Sequence, residues 1–272
     1  MENLILVLKA VIIGIVEGIT EFLPISSTGH MILVGHFIKF EGDFAKLFEI
    51  VIQLGAILAI IVLYKKKIFN SLKSLNPGGM GFKLWSGIIL AFIPSGIVAL
   101  LFYDKIKELL MGPVTVAAAL LAGGLWMIYA EKKYRKNKKT LKIEDVSYRQ
   151  AFIIGLFQCI SLLWPGFSRS ASTIIGGWIV GLSTGAAAEF SFFLALPTMI
   201  IASGYSLLKA DMALSGIEVA SLVIGFIVSF VVALIVVDRF ISFLKKKPMV
   251  GFALYRILVG VIILAFALFG IL

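Results

Sequence analysis

Apolar runs close to 20 residues long recur along this chain at 47–64, 84–103, 113–130, 190–208, 217–237 and 250–272. That is the length a helix needs to cross the hydrocarbon of a bilayer. Of the 272 residues 60% are hydrophobic and 15% charged, and a water-soluble domain of this size could not cover so much apolar surface. The expectation is an all-α polytopic membrane protein with about six transmembrane helices. The start Met1-Glu2-Asn3 has no basic region, and the apolar run after it ends in Glu17, Glu21 and Pro24 rather than in a small-residue cleavage site. It does not read as a signal peptide. The lone Cys159 allows no intrachain disulfide and gives redox chemistry little support.

The formal net charge of +10 would point to nucleic acid in a soluble protein. Here the cations gather in short connections instead: Lys65-Lys66-Lys67 with Lys73, the run from Lys132 to Arg149, and Arg239 with Lys245-Lys246-Lys247. The positive-inside rule places all three in the cytoplasm, so the charge reports topology and no nucleic-acid partner is expected.

Residues 10–35 align with residues 151–176 at a constant offset of 141, pairing Gly14 with Gly155, Glu17 with Gln158, Pro24 with Pro165, Ser27 with Ser168 and Gly35 with Gly176. The chain is therefore expected to be one membrane domain built from repeat 1, about 1–130, and repeat 2, about 150–272. A basic cytoplasmic loop, 131–149, joins them. Counting spans from the basic loops sets the copies in opposite orientations, an inverted-topology repeat. In each copy a polar break, Pro24-Ile25-Ser26-Ser27 or Pro165-Gly166-Phe167-Ser168, cuts the hydrophobic stretch into pieces expected to be too short to cross. Each copy then reads as a re-entrant helical hairpin. Two such hairpins meeting near the midplane would supply the protein or water contacts that irregular backbone needs at that depth.

The polar residues of the two breaks suggest an anion site. Glu17 and Glu21, four apart on one helix, present both carboxylates on one face. Ionised acids at membrane depth are costly, so a cation should compensate them, either a divalent ion or Arg169 of the other hairpin. Ser26, Ser27 and Thr28 open a new helical piece with His30 one turn on, where free backbone N–H groups favour an anion. Ser168, Ser170 and Thr173 repeat this around Arg169, whose planar fork suits a phosphate. Ala171 takes the repeat position of His30, so the two-histidine chemistry of other lipid phosphatases is not expected.

The strings Glu17-Gly18-x-Thr20-Glu21-Phe22-Leu23-Pro24-x-Ser26-Ser27-Thr28-Gly29-His30 and Pro165-Gly166-x-Ser168-Arg169-Ser170-x-x-Thr173 resemble the signature motifs of the bacterial undecaprenyl-diphosphate phosphatases, the bacitracin-resistance family. Weaker similarity lies around Glu49 and Gln53, Glu189, and Arg256. Ala171 departs from a glycine found in many members. The resemblance implies hydrolysis of undecaprenyl diphosphate to the monophosphate carrier of cell-wall synthesis, in a bacterial plasma (inner) membrane. The expected catalytic residues are Glu17, Glu21, Ser27, His30 and Arg169, with Ser26, Thr28, Gly166, Ser168, Ser170 and Thr173 binding substrate. Glu17 and Glu21 would hold a divalent cation, Mg2+ or Ca2+. Ser27 is the favoured nucleophile, with His30 as acid or base, over a water activated by a carboxylate. The partners expected are the polyprenyl diphosphate substrate and membrane lipids; a homodimer stays open. The site is expected to open to the periplasmic or extracellular side. A transporter or flippase of phosphorylated lipid, binding phosphate without cleaving it, is the rival reading.

Overall fold

A computed structural model describes residues 2–136, 138–209 and 213–272, with only the backbone of Tyr103, Asp104, Lys107, Glu108 and Lys245. The described residues form α-helices, one 3-10 turn and a single isolated β-bridge, Thr140 with Leu182. The six expected spans are α3 (Asp43–Leu63), α5 (Met80–Leu110), α6 (Pro113–Tyr134), α9 (Thr184–Lys209), α10 (Gly216–Lys246) and α11 (Val250–Leu268). A short α4 (Lys65–Leu72) follows α3, and the 3-10 turn Ile143–Asp145 lies in the basic connection.

The two interrupted segments become two helical hairpins: α1 (Glu2–Thr20) with α2 (Ser27–Phe37), and α7 (Tyr148–Leu163) with α8 (Arg169–Ile179). One element differs from expectation. α1 is itself 19 residues long and apolar, so seven helices among the described residues have the length and composition to cross a membrane. The break at Pro24 was expected to leave only pieces too short to cross; the apolar Leu4, Ile5 and Leu8 lengthen this one and are exposed. The short arms α2 and α8 have 11 residues each. At about 1.5 Å per residue each is some 17 Å long, too short to cross a bilayer of about 30 Å.

The internal repeat is visible in the backbone, with one correction to its register. Ser26 precedes α2 at φ 71° and its hydroxyl accepts from Gly29 N–H; Ser168 precedes α8 at φ 74° and accepts from Ala171 N–H. The two helices end alike, on Ile38 and Val180. Beyond the break the offset is thus 142, because the second loop carries one residue more. Ser26 corresponds to Ser168, Ser27 to Arg169, and His30 to Ser172 rather than to Ala171. A constant offset missed this because one inserted residue in a four-residue loop costs little apparent similarity.

Each hairpin's first arm packs along the opposite half of the chain, α1 on α10 and α7 on α5. Small residues permit this close approach. A Cβ added at Gly14 would lie 2.9 Å from the carbonyl of Gly225, and one at Gly18 2.7 Å from that of Ser229. At Gly155 it would strike the carbonyl of Ala91. The hairpins are thereby held by helices of the other half, and their tips are brought together at the centre of the bundle.

Candidate active site

Between the tips lies a cavity of about 260 Å³, lined on its polar side by Glu21, Ser26, Ser27, Thr28, Gln53, Ser168 and Arg169. Ile106, Met111 and Leu162 form its apolar side, with Ser161, Pro165 and Gly166 completing the wall. The starts of α2 and α8 both border it. Their unsatisfied backbone N–H groups and partial positive charge favour an anion there.

Glu21 is the centre of the polar side. Its Oε2 accepts from the Ser27 hydroxyl at 2.6 Å and its Oε1 from Arg169 Nη2 at 3.0 Å. Arg169 also donates through Nη1 to the Ser191 carbonyl at 3.2 Å, contacts Met199 Sδ at 3.4 Å, and places Cζ 5.5 Å from the centre of the Phe22 ring. The guanidinium is thus held in place while it lines the cavity, where its planar fork suits an anion. Of the two compensating cations expected for the acids, Arg169 is one, reached from the other hairpin.

Other expected residues divide between lining the cavity and holding its frame. Ser26, Thr28, Gly166 and Ser168 line it with Ser27. Ser170 instead donates to the Leu23 carbonyl at 2.9 Å, joining the hairpins, and Thr173 is fully buried, donating to Ser191 Oγ at 2.7 Å beneath Arg169. Glu17 is 2% exposed, does not border the cavity, and has Glu21 and Glu49 as acidic neighbours; its Oε1 has no hydrogen-bond partner among the described residues.

The spacing of Ser27 and His30 suggested a hydroxyl–imidazole pair, but their side chains have separate partners. His30 Nδ1 lies 2.7 Å from the Ser26 carbonyl, and Nε2 lies 2.8 Å from the Tyr255 hydroxyl. A carbonyl only accepts, so Nδ1 carries a hydrogen, and in the neutral ring Nε2 accepts from Tyr255. Within the first turn of α2 the imidazole folds back on the carbonyl four residues earlier, while Ser27 turns to Glu21.

Three contributors were weakly marked or unmarked in the sequence. Gln53, four residues after Glu49 on α3, reaches the cavity. Tyr255 and Arg256 on α11 reach the hairpins from more than 220 residues away. The last pair was marked only by the weaker family similarity around Arg256, which gave neither residue a part in the site.

No group of three or more His, Cys, Asp or Glu side chains among the described residues forms a metal-binding cluster. Glu21 nevertheless suits a cation that takes most of its ligands from phosphate and water, since each carboxylate oxygen keeps a further lone pair beside Ser27 or Arg169.

A helical membrane protein whose two broken hairpins bring a serine hydroxyl, a carboxylate and an arginine to one internal cavity has a set of groups suited to handling phosphate within a membrane. The family model described as Bacitracin resistance protein BacA matches residues 10–262, and this chain belongs to that family. It is 55% identical over 284 residues to an undecaprenyl-diphosphatase of Clostridium novyi (strain NT), covering 100% of this chain and 99% of that protein. An undecaprenyl-diphosphatase of Clostridium tetani (strain Massachusetts / E88) is 52% identical over 269 residues, covering 98% and 99%. One of Caldanaerobacter subterraneus subsp. tengcongensis is 55% identical over 259 residues, covering 95% of each.

Proposed function

We propose that this protein hydrolyses undecaprenyl diphosphate to undecaprenyl phosphate and inorganic phosphate, returning the lipid carrier to cell-wall synthesis and conferring bacitracin resistance. Family membership and relatives named for this activity support the substrate. The observation that carries the chemistry is Glu21, which holds the Ser27 hydroxyl and the Arg169 guanidinium side by side in one cavity.

In the proposed reaction the Ser27 oxygen attacks the terminal phosphorus as its proton passes to Glu21 Oε2. The bond from that phosphorus to the bridging oxygen breaks, and undecaprenyl phosphate leaves with the bond's electron pair. Water then attacks the phosphoserine, releasing inorganic phosphate and restoring the Ser27 hydroxyl, with Glu21 moving the proton. Arg169 and the N–H groups at the starts of α2 and α8 face the charge that builds on the phosphoryl oxygens. Gly166, Ser168, Ser26 and Thr28 border the rest of the diphosphate, and the Ile106, Met111 and Leu162 side suits the start of the prenyl chain.

Glu21 would hold a divalent cation, Mg2+ or Ca2+, while Glu17, which does not border the cavity, would add its negative charge from behind. When bound, the ion supplies charge neutralisation on the diphosphate. Exhaustive chelation of the purified protein should abolish turnover and added Mg2+ or Ca2+ should restore it; full activity after chelation removes the cation from the proposal.

The protein is placed in the bacterial plasma membrane with the cavity open to the outer side. In support, Met111, in the turn between α5 and α6, lines the cavity, and the loop charges put that turn opposite the basic connections.

Phosphate release by the purified protein in detergent tests the reaction directly. Ser27→Ala should lower kcat by roughly a thousandfold or more, as loss of an activated nucleophile does. Near-normal turnover by Ser27→Ala would leave activated water as the nucleophile. Tight binding of the lipid by the wild type without phosphate release would favour the transporter reading.

A further inference from the structure

We infer that Tyr255 and Arg256, adjacent on α11, are positioning residues that lock the two hairpin tips to each other and so set the distance between Ser27 and Arg169. The inference rests on the hydrolase reading above.

Arg256 is fully buried, and among the described residues no carboxylate pairs with it. Its hydrogen bonds run instead to backbone carbonyls. Nη1 donates to Pro24 at 3.2 Å, in the first tip; Nη2 donates to Phe167 at 2.7 Å, in the second, with Gly166 at 3.5 Å and Ala119 of α6 at 3.3 Å. Pro24 lies two residues before the strained Ser26, and Phe167 directly precedes the strained Ser168. One rigid fork therefore spans both turns that aim α2 and α8 at the cavity. A buried guanidinium without an acid partner is costly, and a fold seeking stability alone would place an apolar side chain here. The α6 helix makes room for it: a Cβ added at Gly123 would lie 2.9 Å from Arg256 Cζ.

Tyr255 completes the brace from the neighbouring position. Its hydroxyl holds His30 Nε2, and its ring stacks on the imidazole with centroids 5.5 Å apart and planes 13° from parallel. His30 Nδ1 in turn holds the Ser26 carbonyl, one residue before the proposed nucleophile. The path from α11 to Ser27 thus runs through Tyr255, His30 and the backbone of Ser26. This gives His30 a positional part in place of proton transfer to Ser27.

The test measures phosphate release by full-length wild type and variants in detergent, with kcat and KM separated and thermal midpoints recorded. Wild-type turnover in the same preparation establishes the underlying reaction; its absence would remove the hydrolase reading rather than the brace alone. Tyr255→Phe keeps the stacked ring and loses only the hydroxyl, so kcat should fall roughly three- to tenfold, the value of one hydrogen bond, with KM little changed. Combined with His30→Ala, it should lower kcat no further than His30→Ala alone. Arg256→Lys keeps the charge but one ammonium cannot span both tips, and kcat should fall by roughly a hundredfold. Gly123→Ala, which displaces the guanidinium without altering charge, should lower kcat in the same sense. Leu258→Ala, on the exposed face of α11, is the control that leaves turnover unchanged. Wild-type kcat in Tyr255→Phe overturns the Tyr255 assignment. A lowered thermal midpoint with wild-type kcat in Arg256→Lys and Gly123→Ala makes Arg256 a structural residue only and overturns its part.

Discussion

Glu21 and Glu17 show what the sequence can and cannot say about single residues. Four apart on one helix, they were expected to share a face and a role. They do share the face, but Glu21, one residue past the end of α1, borders the cavity, while Glu17 is still inside the packed helix beside Glu49. Position along the helix decides this, and a periodic pattern does not encode depth. Arg169 was legible because an arginine in an apolar segment is costly enough to need a reason. Its pairing with Glu21 was legible as one of two choices, and the structure shows that choice. The partner of His30 was not legible, because Tyr255 is an ordinary aromatic residue 225 positions away. For Arg169, the geometry separates shape from charge. Arg169→Lys keeps the positive charge but cannot contact Glu21, Ser191 and a phosphate together. We expect kcat/KM for phosphate release to drop by about a hundredfold, the cost of one oriented donor at a developing oxyanion. A loss below threefold would show that charge alone suffices there.

The breaks between elements were easier to read than the elements' lengths. Pro24 and Pro165 end the first arms because proline offers no N–H and restricts the residue before it, and serines restart the helices because a hydroxyl satisfies a free N–H. The arms' lengths depend on where apolar side chains face lipid, so α1 came out longer than expected. The basic connection shows a structure that charge counting alone does not reveal. Lys67 of α4 lies 2.7 Å from both Glu144 of the 3-10 turn and Glu189 of α9, fastening three elements through one ammonium. Burial alone would lower the Lys67 pKa, but hydrogen bonds to Glu144 and Glu189 and their charges outweigh it and hold it above 10.5. Burial would raise the pKa of Glu144, yet the Lys67 hydrogen bond and neighbouring charges bring it below 4.5. The stability this cluster contributes is therefore present between those ordinary values. It is lost as pH falls through the depressed Glu144 value, or as pH rises through the elevated Lys67 value. Lys67→Gln should lower stability by about 1 kcal/mol, discounted for partial exposure, or a thermal midpoint shift of about 2–4 °C. Detergent melts at neutral pH and in acid check this. The gap between wild type and variant should hold at neutral pH and narrow as pH falls through the depressed Glu144 value; a gap independent of pH would mean that packing, not the ion pairs, links the elements.

At the scale of the whole molecule, hydropathy and an internal repeat were enough to foresee an all-helical membrane bundle with two broken hairpins. The swapped packing of α1 on α10 and α7 on α5 was not foreseeable, because it depends on glycines meeting backbone carbonyls across the bundle. That exchange makes each half incomplete alone: Ser27 and Glu21 come from one hairpin and the Arg169 guanidinium from the other, so neither half holds the cavity's polar side by itself. The loop charges then set which side of the membrane the assembled cavity faces. If the basic connections lie in the cytoplasm, the segment between α2 and α3 lies outside. Single cysteines in place of Glu41 and Lys138, both exposed, read the two sides, while Cys159 is buried and serves as the background. A membrane-impermeant maleimide added to intact cells, or to spheroplasts if an outer membrane is present, should label Glu41→Cys and spare Lys138→Cys until the membrane is opened. Labelling of Lys138→Cys alone would reverse the topology, turn the Met111 edge of the cavity to the cytoplasm, and require the diphosphate to be hydrolysed on the inner side.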